Sequence, residues 1–459
     1  MGMSADVDVL VVGAGISGLA TAFRLKERGA KVEMLEAAPR AGGVIGTRHR
    51  NGALVEHGPN SALDSSPLIN ELLDRVGMRG ERIEANAAAA TRYIVRGGKL
   101  VALPASAGAL FGTSAFTLGA KLRLLREPFI ARAPADTEES IATFARRRLG
   151  PEILDYAVDP FVSGVYAGDP ERISASAAFP RLTALEQKYG SLLKSQIMGG
   201  GERGQKAESF SFRRGMQSLT DALANSIGRI ESGVTVRRIE AGADGVWTVA
   251  GARGGDPVIR RAKAIVLAAP AAESAKLMRE LWPSATRSLA AIEYAGVASV
   301  ASAYRRLDVR HSLAGFGFLV PKKESRRILG SLFSSSMFEG RAPPNIALLT
   351  TFVGGMRNRE LSMQPDGVLG TMVHEELTAL VGATSPPIWT DITHWASAIP
   401  QYTLGHSERL RPLEDAERAR PGLFFCGSYR GGVSVGDCIK SAHATADAVT
   451  RFLVGVRPA

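Results

Sequence analysis

The first apolar run of the chain, Val7, Val9, Leu10, Val11 and Val12, is continuous rather than alternating, the pattern of a strand buried on both faces. Gly13-Ala14-Gly15-Ile16-Ser17-Gly18 separates it from a stretch in which Leu19, Phe23 and Leu25 are apolar while Lys26, Glu27 and Arg28 are charged. That spacing predicts an amphipathic helix stopped by Gly29, and residues 31–35 predict a second strand ending on Glu36. Residues 66–88 carry helical spacing from Pro67 through Leu68, Ile69, Leu72, Leu73 and Val76. Residues 91–95 and 99–103 predict a hairpin across Gly97-Gly98. Residues 106–205 are mostly helical in period, interrupted by a predicted loop at 161–170 whose Gly164 and Gly168 would turn main-chain carbonyls towards a ligand. Residues 199–208 read as a linker, 219–227 as a helix, and 234–236 and 246–249 as short strands. The apolar run 264–270 predicts a buried parallel strand. Strands and helices alternate over 273–414, and the last unit is a strand at 423–426, a glycine loop, and a helix to Phe452 that Asp437 would cap.

The first unit has the parts of a dinucleotide site in order. Gly13 permits a tight turn, Gly15 lets backbone approach a pyrophosphate, and Gly18 lets helix and strand pack closely. The helix start offers free N–H groups and the positive end of its dipole. Glu36 stands 21 residues after Gly15, where a carboxylate accepts from a ribose hydroxyl. Just beyond, Ala37, Arg40, Gly42, Gly43 and Val44 form a second glycine turn with a cation beside it, which an ordinary NAD site does not need. Glu56-His57-Gly58-Pro59-Asn60-Ser61 is a rigid turn placed behind these two elements, and a cofactor contact is expected there. The strand–glycine-loop–helix unit at 423–452 would bring another positive helix end to the same ligand, where it would stabilise the negative edge of a flavin.

Composition narrows the class. A chain of 459 residues exceeds one compact core, and a content of 45% hydrophobic and 22% charged residues argues against disorder. The net charge of +11 suits anionic ligands or an anionic membrane surface; nucleic acid is disfavoured because no aromatic RNA motif or zinc-finger spacing is present. Cys426 and Cys438 fit a reducing compartment and cannot build a disulfide framework, and the seven scattered His residues give no metal-ligand spacing. The N-terminus runs almost directly into the first strand, which leads us to expect a cytoplasmic protein without a signal peptide. Residues 100–120 are uncharged, but Pro104 and three glycines make a poor spanning helix. The following segment mixes Leu122, Leu124, Leu125, Phe129 and Ile130 with Lys121, Arg123, Arg126 and Arg132. A segment lying in a membrane interface and a helix packed on its own protein fit that pattern equally, so the expectation is peripheral contact with the inner face of the cell membrane at most.

Seven motifs carry a family resemblance: VVGAGISGLA (11–20), HGPNS (57–61), FVSGVYAGDP (161–170), GFGFLVPKKE (315–324), LGSLFSSSMF (329–338), IPQYTLGH (399–406) and SYRGGVSVGDCI (428–439). They span nearly the whole chain, which resembles the FAD-containing amine-oxidase and desaturase superfamily and, within it, the protoporphyrinogen oxidase family. The resemblance implies an α/β fold: a Rossmann-like, glutathione-reductase-like FAD domain split over 1–88, 206–272 and 415–459, an α+β substrate domain at 89–105 and 273–414, and a helical, membrane-associated insertion at 106–205. It implies FAD contacts at Gly13, Ala14, Gly15, Ile16, Ser17, Gly18, Glu36, Ala37, Arg40, Gly42, Gly43 and Val44, and at His57, Gly58, Pro59 and Asn60. Val236 would hold the adenine through its backbone, and Ser428, Val433, Ser434 and Val435 would face the isoalloxazine. For the substrate it implies Arg92 pairing with a carboxylate, Gly164 and Gly168 facing a macrocycle, Leu319, Leu332 and Phe352 sandwiching its rings, and Asn60 at its edge. Many relatives have Asn where this chain has Gly436, so flavin hydrogen bonding is expected to differ there.

The implied activity is oxidation of a porphyrinogen by molecular oxygen through FAD, with protoporphyrinogen first, coproporphyrinogen next, and another amine or carotenoid oxidase of the superfamily behind them. A flavoprotein that binds tetrapyrrole without turning it over is the non-enzymatic alternative. No residue is singled out as a catalytic acid or base, and a homodimer is allowed for.

Overall fold

A computed structural model describes residues 5–104, 112–134, 137–198 and 208–455. The expected linker at 199–208 lies outside the described residues except for Glu208, as does the stretch 105–111 of the uncharged segment.

Two seven-stranded sheets organise the chain. The first has the order Ile230–Ser232, Val32–Glu36, Val7–Val12, Asp256–Leu267, Trp247–Arg253, Val234–Ala241, with Leu423–Phe425 also paired to Asp256–Leu267. Its centre is parallel: Val9 to Val12 register with Val32 to Leu35 on one side and with Ala264 to Leu267 on the other. Val9, Leu10 and Val11 are fully buried, as the unbroken apolar run requires of a strand covered on both faces. Helix Ile16–Glu27 and the C-terminal helix Val435–Leu453 cover one face through Leu19, Phe23, Ile439, Ala442 and Ala446. Helices Ala271–Met278, Pro283–Ala290 and His406–Ala419 cover the other through Met278, Leu289 and Leu413. A domain division at 272/273 would cut through that packed unit; the strands change sheets at Tyr294, and we place the boundary there.

The second sheet has the order Trp389–Pro400, Tyr294–Arg305, Ile346–Gly354, Ile328–Leu332, Gly317–Leu319, Arg92–Arg96, Lys99–Ala102. One of its faces packs on helix Asp366–Val381, where Leu369, Val373 and Leu377 meet Val300, Phe318 and Val353. The other face packs on the hairpin of Thr47–Arg50 and Ala53–Glu56, where Ala301, Ala303 and Leu348 meet Ala53 and Val55.

Three expectations are corrected. Residues 66–88 are not one helix: helix Pro67–Arg75 stops because Gly77 takes φ +73°, and Arg82–Glu84 pairs as a strand with Ser209–Phe212. The segment 161–170 is not a loop throughout, because Asp159–Tyr166 is helical and only Ala167 onward leaves the helix. Asp437 does not cap the last helix; Ser434 does, accepting from the Asp437 N–H at 3.1 Å. The helical insertion is tied together by a buried ion cluster in which Arg148 donates to Glu186 at 2.7 Å and to Glu127 at 3.2 Å. Both carboxylates take further donors, which is the condition for burying charge without a large penalty.

Candidate cofactor and substrate site

The site is built where the two sheets face each other. At the end of strand Val7–Val12 the chain turns through Gly13 at φ +104°, and a Cβ there would stand 2.9 Å from the Ala268 carbonyl carbon. A Cβ on Gly18 would overlap the Gly13 carbonyl oxygen, so helix and strand meet at a distance only glycine allows. Around Gly15, by contrast, nothing lies within 4 Å of where a Cβ would be. Helix Ile16–Glu27 begins at Gly15 with no side-chain cap and no acid in its first turn, which leaves its N–H groups and positive dipole end for an anion.

Glu36 is fixed by this same turn. One carboxylate oxygen accepts from the Ala14 N–H at 2.6 Å and the other from the Ala38 N–H at 2.8 Å. The residue thus reaches the glycine turn and also stands beside Gly233, whose N–H donates to the Ala38 carbonyl at 3.0 Å. Val236 follows on the next strand, half-buried against the first sheet's core, and Ala37 is exposed at the rim. The second glycine turn docks on the first: the Gly42 N–H donates to the Ala14 carbonyl at 2.7 Å, and Gly42 and Gly43 take φ +113° and +58°. Arg40 folds over this turn, donating to the Ile45 and Ala41 carbonyls at 2.8 and 3.0 Å, and no acid pairs with it among the described residues. Val44 is exposed beside it.

His57, Gly58, Pro59 and Asn60 then pass between the sheets. A Cβ on Gly58 would overlap the Val44 carbonyl oxygen, and the Asn60 amide turns back to the Gly58 carbonyl at 3.2 Å. The His57 carbonyl accepts from the Trp395 indole N–H at 2.8 Å, joining this segment to the second sheet. Burial holds the His57 imidazole below its ordinary pKa, with Arg48 and Arg40 adding to the effect against Asp391. The preceding Glu56 is buried; desolvation raises its carboxyl pKa although Thr47, Arg341 and the Met216 N–H oppose the shift. At the far end, Ser428, Val433, Ser434 and Val435 lie in the loop and first turn before helix Val435–Leu453. Ser434 both accepts from and donates to Asp437, so this second helix end is partly self-capped and carries an acid in its first turn. Gly436 packs tightly: a Cβ there would lie 3.0 Å from Ile69 Cδ1 and 3.1 Å from Ser65 Oγ, leaving little room for an asparagine.

The expected substrate residues share one face of the second sheet. Arg92 registers with Gly317 and Gly317 with Leu332; Leu319 registers with Gly330 and Gly330 with Phe352. Cross-strand partners point the same way, so Arg92, Leu319, Leu332 and Phe352 project together while Phe318 and Val353 point into the core. Leu319, Leu332 and Phe352 are only half-buried, and Gly317 and Gly330 lie between them in register. Arg92 is exposed, lies with its guanidinium 5.1 Å from the Phe316 ring centroid, and makes no ion pair among the described residues. Helix Asp159–Tyr166 covers part of the face. Gly164 sits within it, and a Cβ would stand 2.7 Å from Leu319 Cδ2; its glycine serves close packing rather than the exposure of a carbonyl in a loop. Gly168 follows the turn at Ala167, packed against Gln401, whose amide donates to the Tyr166 carbonyl at 2.8 Å. Trp395 was not singled out by the sequence; its contact with His57 spans 338 positions and leaves no local signal.

The chain belongs to the flavin-containing amine oxidoreductase family, whose model matches residues 16–450. It is an FAD-dependent oxidase of that family. It is 34% identical to the mitochondrial protoporphyrinogen oxidase of Nicotiana tabacum over 98% of this chain and 95% of that protein. It is 27% identical to the coproporphyrinogen III oxidase of Bacillus subtilis over 96% of this chain and 98% of that one. Among solved structures it resembles a protein of Exiguobacterium sp. 255-15 provisionally named protoporphyrinogen oxidase, with TM-score 0.82, 25% identity, and 98% and 99% of the two chains covered. Cyclohexylamine oxidase of Brevibacterium oxydans shares the fold, with TM-score 0.70 at 18% identity over 98% of this chain and all of that one. The open cradle at Gly15, the uncapped helix end and the carboxylate of Glu36 fit the pyrophosphate and ribose of FAD.

Proposed function

We propose that the protein oxidises protoporphyrinogen IX to protoporphyrin IX with molecular oxygen, removing six electrons and six hydrogens while three O2 become three hydrogen peroxide. The observation that carries this reading is the pairing of a half-buried apolar face (Leu319, Leu332, Phe352) with Arg92, which has no ion pair among the described residues. A macrocycle with a carboxylate arm fits that combination. FAD, held along Gly13 to Gly18, Glu36, Arg40 to Val44, His57 to Asn60 and Ser428 to Val435, supplies the two-electron acceptor that oxygen regenerates. The chain's own residues position and desolvate. Arg92 orients the substrate through a charge-assisted hydrogen bond, the leucines and Phe352 exclude water, and Gly164 lets the covering helix approach. No side chain is required as a catalytic acid or base.

Aerobic porphyrin fluorescence with protoporphyrinogen and coproporphyrinogen side by side tests the reading; no fluorescent product from either would overturn it. Coproporphyrinogen, the substrate named for the Bacillus relative, carries two further carboxylates, and the same assay decides which of the two porphyrinogens is turned over faster. Arg92→Ala should raise KM for the porphyrinogen about tenfold or more, the loss of one charge-assisted contact, with flavin content unchanged.

The protein is proposed to work in the cytoplasm in peripheral contact with an anionic membrane. Helix Leu118–Leu125 leaves Leu118, Leu122 and Leu125 exposed on one side, with Phe129 86% exposed beyond it and Arg126 alongside. Among the described residues no helix is long and apolar enough to cross a membrane. Co-sedimentation with phosphatidylglycerol vesicles, lost in Leu122→Glu/Phe129→Glu, is the expected result.

A further inference from the structure

We infer that Tyr402 is a positioning residue for the flavin: its hydroxyl holds the loop 428–432 in the shape that meets the isoalloxazine. Tyr402 is 3% exposed, and its one polar atom serves both ends of the loop. It donates to the Ser428 carbonyl at 2.8 Å and accepts from the Gly432 N–H at 2.8 Å. The loop cannot hold this shape by itself, because Gly431 and Gly432 take φ +89° and +121°, a region where glycine gives freedom rather than restraint. Much of the restraint comes from residues 401–417. His406 stacks on the Tyr402 ring with centroids 4.0 Å apart and planes 13° apart, and its Nε2 bonds the Tyr429 carbonyl at 3.0 Å. Glu417, further along the same segment, accepts from Arg430 at 2.7 and 3.0 Å and from the Phe425 N–H at 2.9 Å. Residues 401–417 therefore contact the loop at 428, 429, 430 and 432.

The Tyr402 contact differs from the others in kind. Loss of the hydroxyl leaves the ring, its stack and its packing in place, and removes the one atom that ties Ser428 to Gly432. Tyr402 also follows directly on the strand Trp389–Pro400, whose Trp395 holds His57 from the opposite side of the cofactor groove. Residues 389–417 thus hold both His57 and the loop 428–432, the two segments assigned to the flavin.

The inference rests on the reading that Ser428, Val433, Ser434 and Val435 face the isoalloxazine, and the experiment separates the two. Hydrogen exchange of the wild-type protein with and without FAD should show protection of residues 427–433 on binding; absence of protection overturns the placement of the loop and the inference with it. Given protection, Tyr402→Phe should remain folded, bind FAD about tenfold more weakly, and show a shifted visible spectrum and midpoint potential of the bound flavin. Tyr304→Phe removes an equally buried hydroxyl, bonded to His374 at 3.2 Å in the other sheet, and should change none of these. A Tyr402→Phe protein with wild-type FAD affinity, spectrum and potential overturns the role of Tyr402 while leaving the loop's placement intact.

Discussion

The chain contains two strand–glycine-loop–helix units that face one groove, and they treat their helix ends in opposite ways. Helix Ile16–Glu27 starts on a bare glycine with no acid in its first turn. Helix Val435–Leu453 starts on Ser434, which caps it, and carries Asp437, which is itself paired with Lys440 at 2.6 Å. The first end therefore has no side-chain acceptor of its own, and the second gives one of its donors, the Asp437 N–H, to Ser434. A pyrophosphate needs the first arrangement, whereas a flat ring that receives electrons needs a surface of fixed shape. With FAD placed as proposed, the same topology serves charge at one end of the cofactor and shape at the other.

Giving the first end what the second has should break this contrast most strongly. Gly15→Asp enters open space at φ −70° and supplies the missing cap, so the apoprotein should melt no lower than wild type. Its carboxylate would face the pyrophosphate, and FAD affinity should fall by about 100-fold or more, on the order of 3 kcal/mol; fluorescence titration of the apoprotein reads it. Gly436→Asn tests the second end by crowding it. Contact with Ile69 and Ser65 should lower stability by about 1–3 kcal/mol, seen as a lower melting temperature of the apoprotein; an unchanged melting temperature would show that the helix can shift freely.

Ser434→Ala removes the cap of the second helix and should cost about 1 kcal/mol, a fall of roughly 1 °C for a chain of this length, while FAD is retained because its proposed phosphate contacts lie at the first end. The smallest expected effect is of pH. Burial lowers the pKa of His406 beneath Tyr402 from 6.5 to about 4. The folded chain thus resists a proton that the unfolded chain accepts, so this contribution to stability is complete above pH 6.5 and is lost as pH falls towards 4. His406→Gln should flatten the melting temperature across that window, and an unaltered slope would assign the pH dependence to other groups.

Much of this was legible in the sequence because it is local. The strand, Gly13 to Gly18, the helix and Glu36 lie within thirty residues, and their periodicities differ enough to be read apart. The face formed by Leu319, Leu332 and Phe352 came only through resemblance, because half-buried leucines on a strand have the same pattern as core leucines. The segment around Gly164 was misread because a run of glycines next to Asp-Pro looks like a loop, yet Asp159 and Pro160 sit in a first helical turn and packing on Leu319 favours the helix. Aspartate is a favoured cap, which is why the sequence points to Asp437; Ser434, three residues earlier, has the hydroxyl in the right place. Trp395 and Tyr402 act through carbonyls and amides distant in sequence, and no local pattern announces them.

The pairing of Leu423–Phe425 with Asp256–Leu267 has a consequence for synthesis. The strand that opens the chain waits for a partner layer made some four hundred residues later, on the order of twenty to eighty seconds at ribosomal speed. Until residues 423–453 emerge, Leu19, Phe23 and the apolar face behind them have no C-terminal helix over them. A nascent chain is therefore sticky for most of its synthesis and cannot close its ligand groove early. Capture of the flavin becomes a mark of a finished chain, and ribosome-stalled fragments ending before residue 423 should be clients of chaperones rather than of FAD.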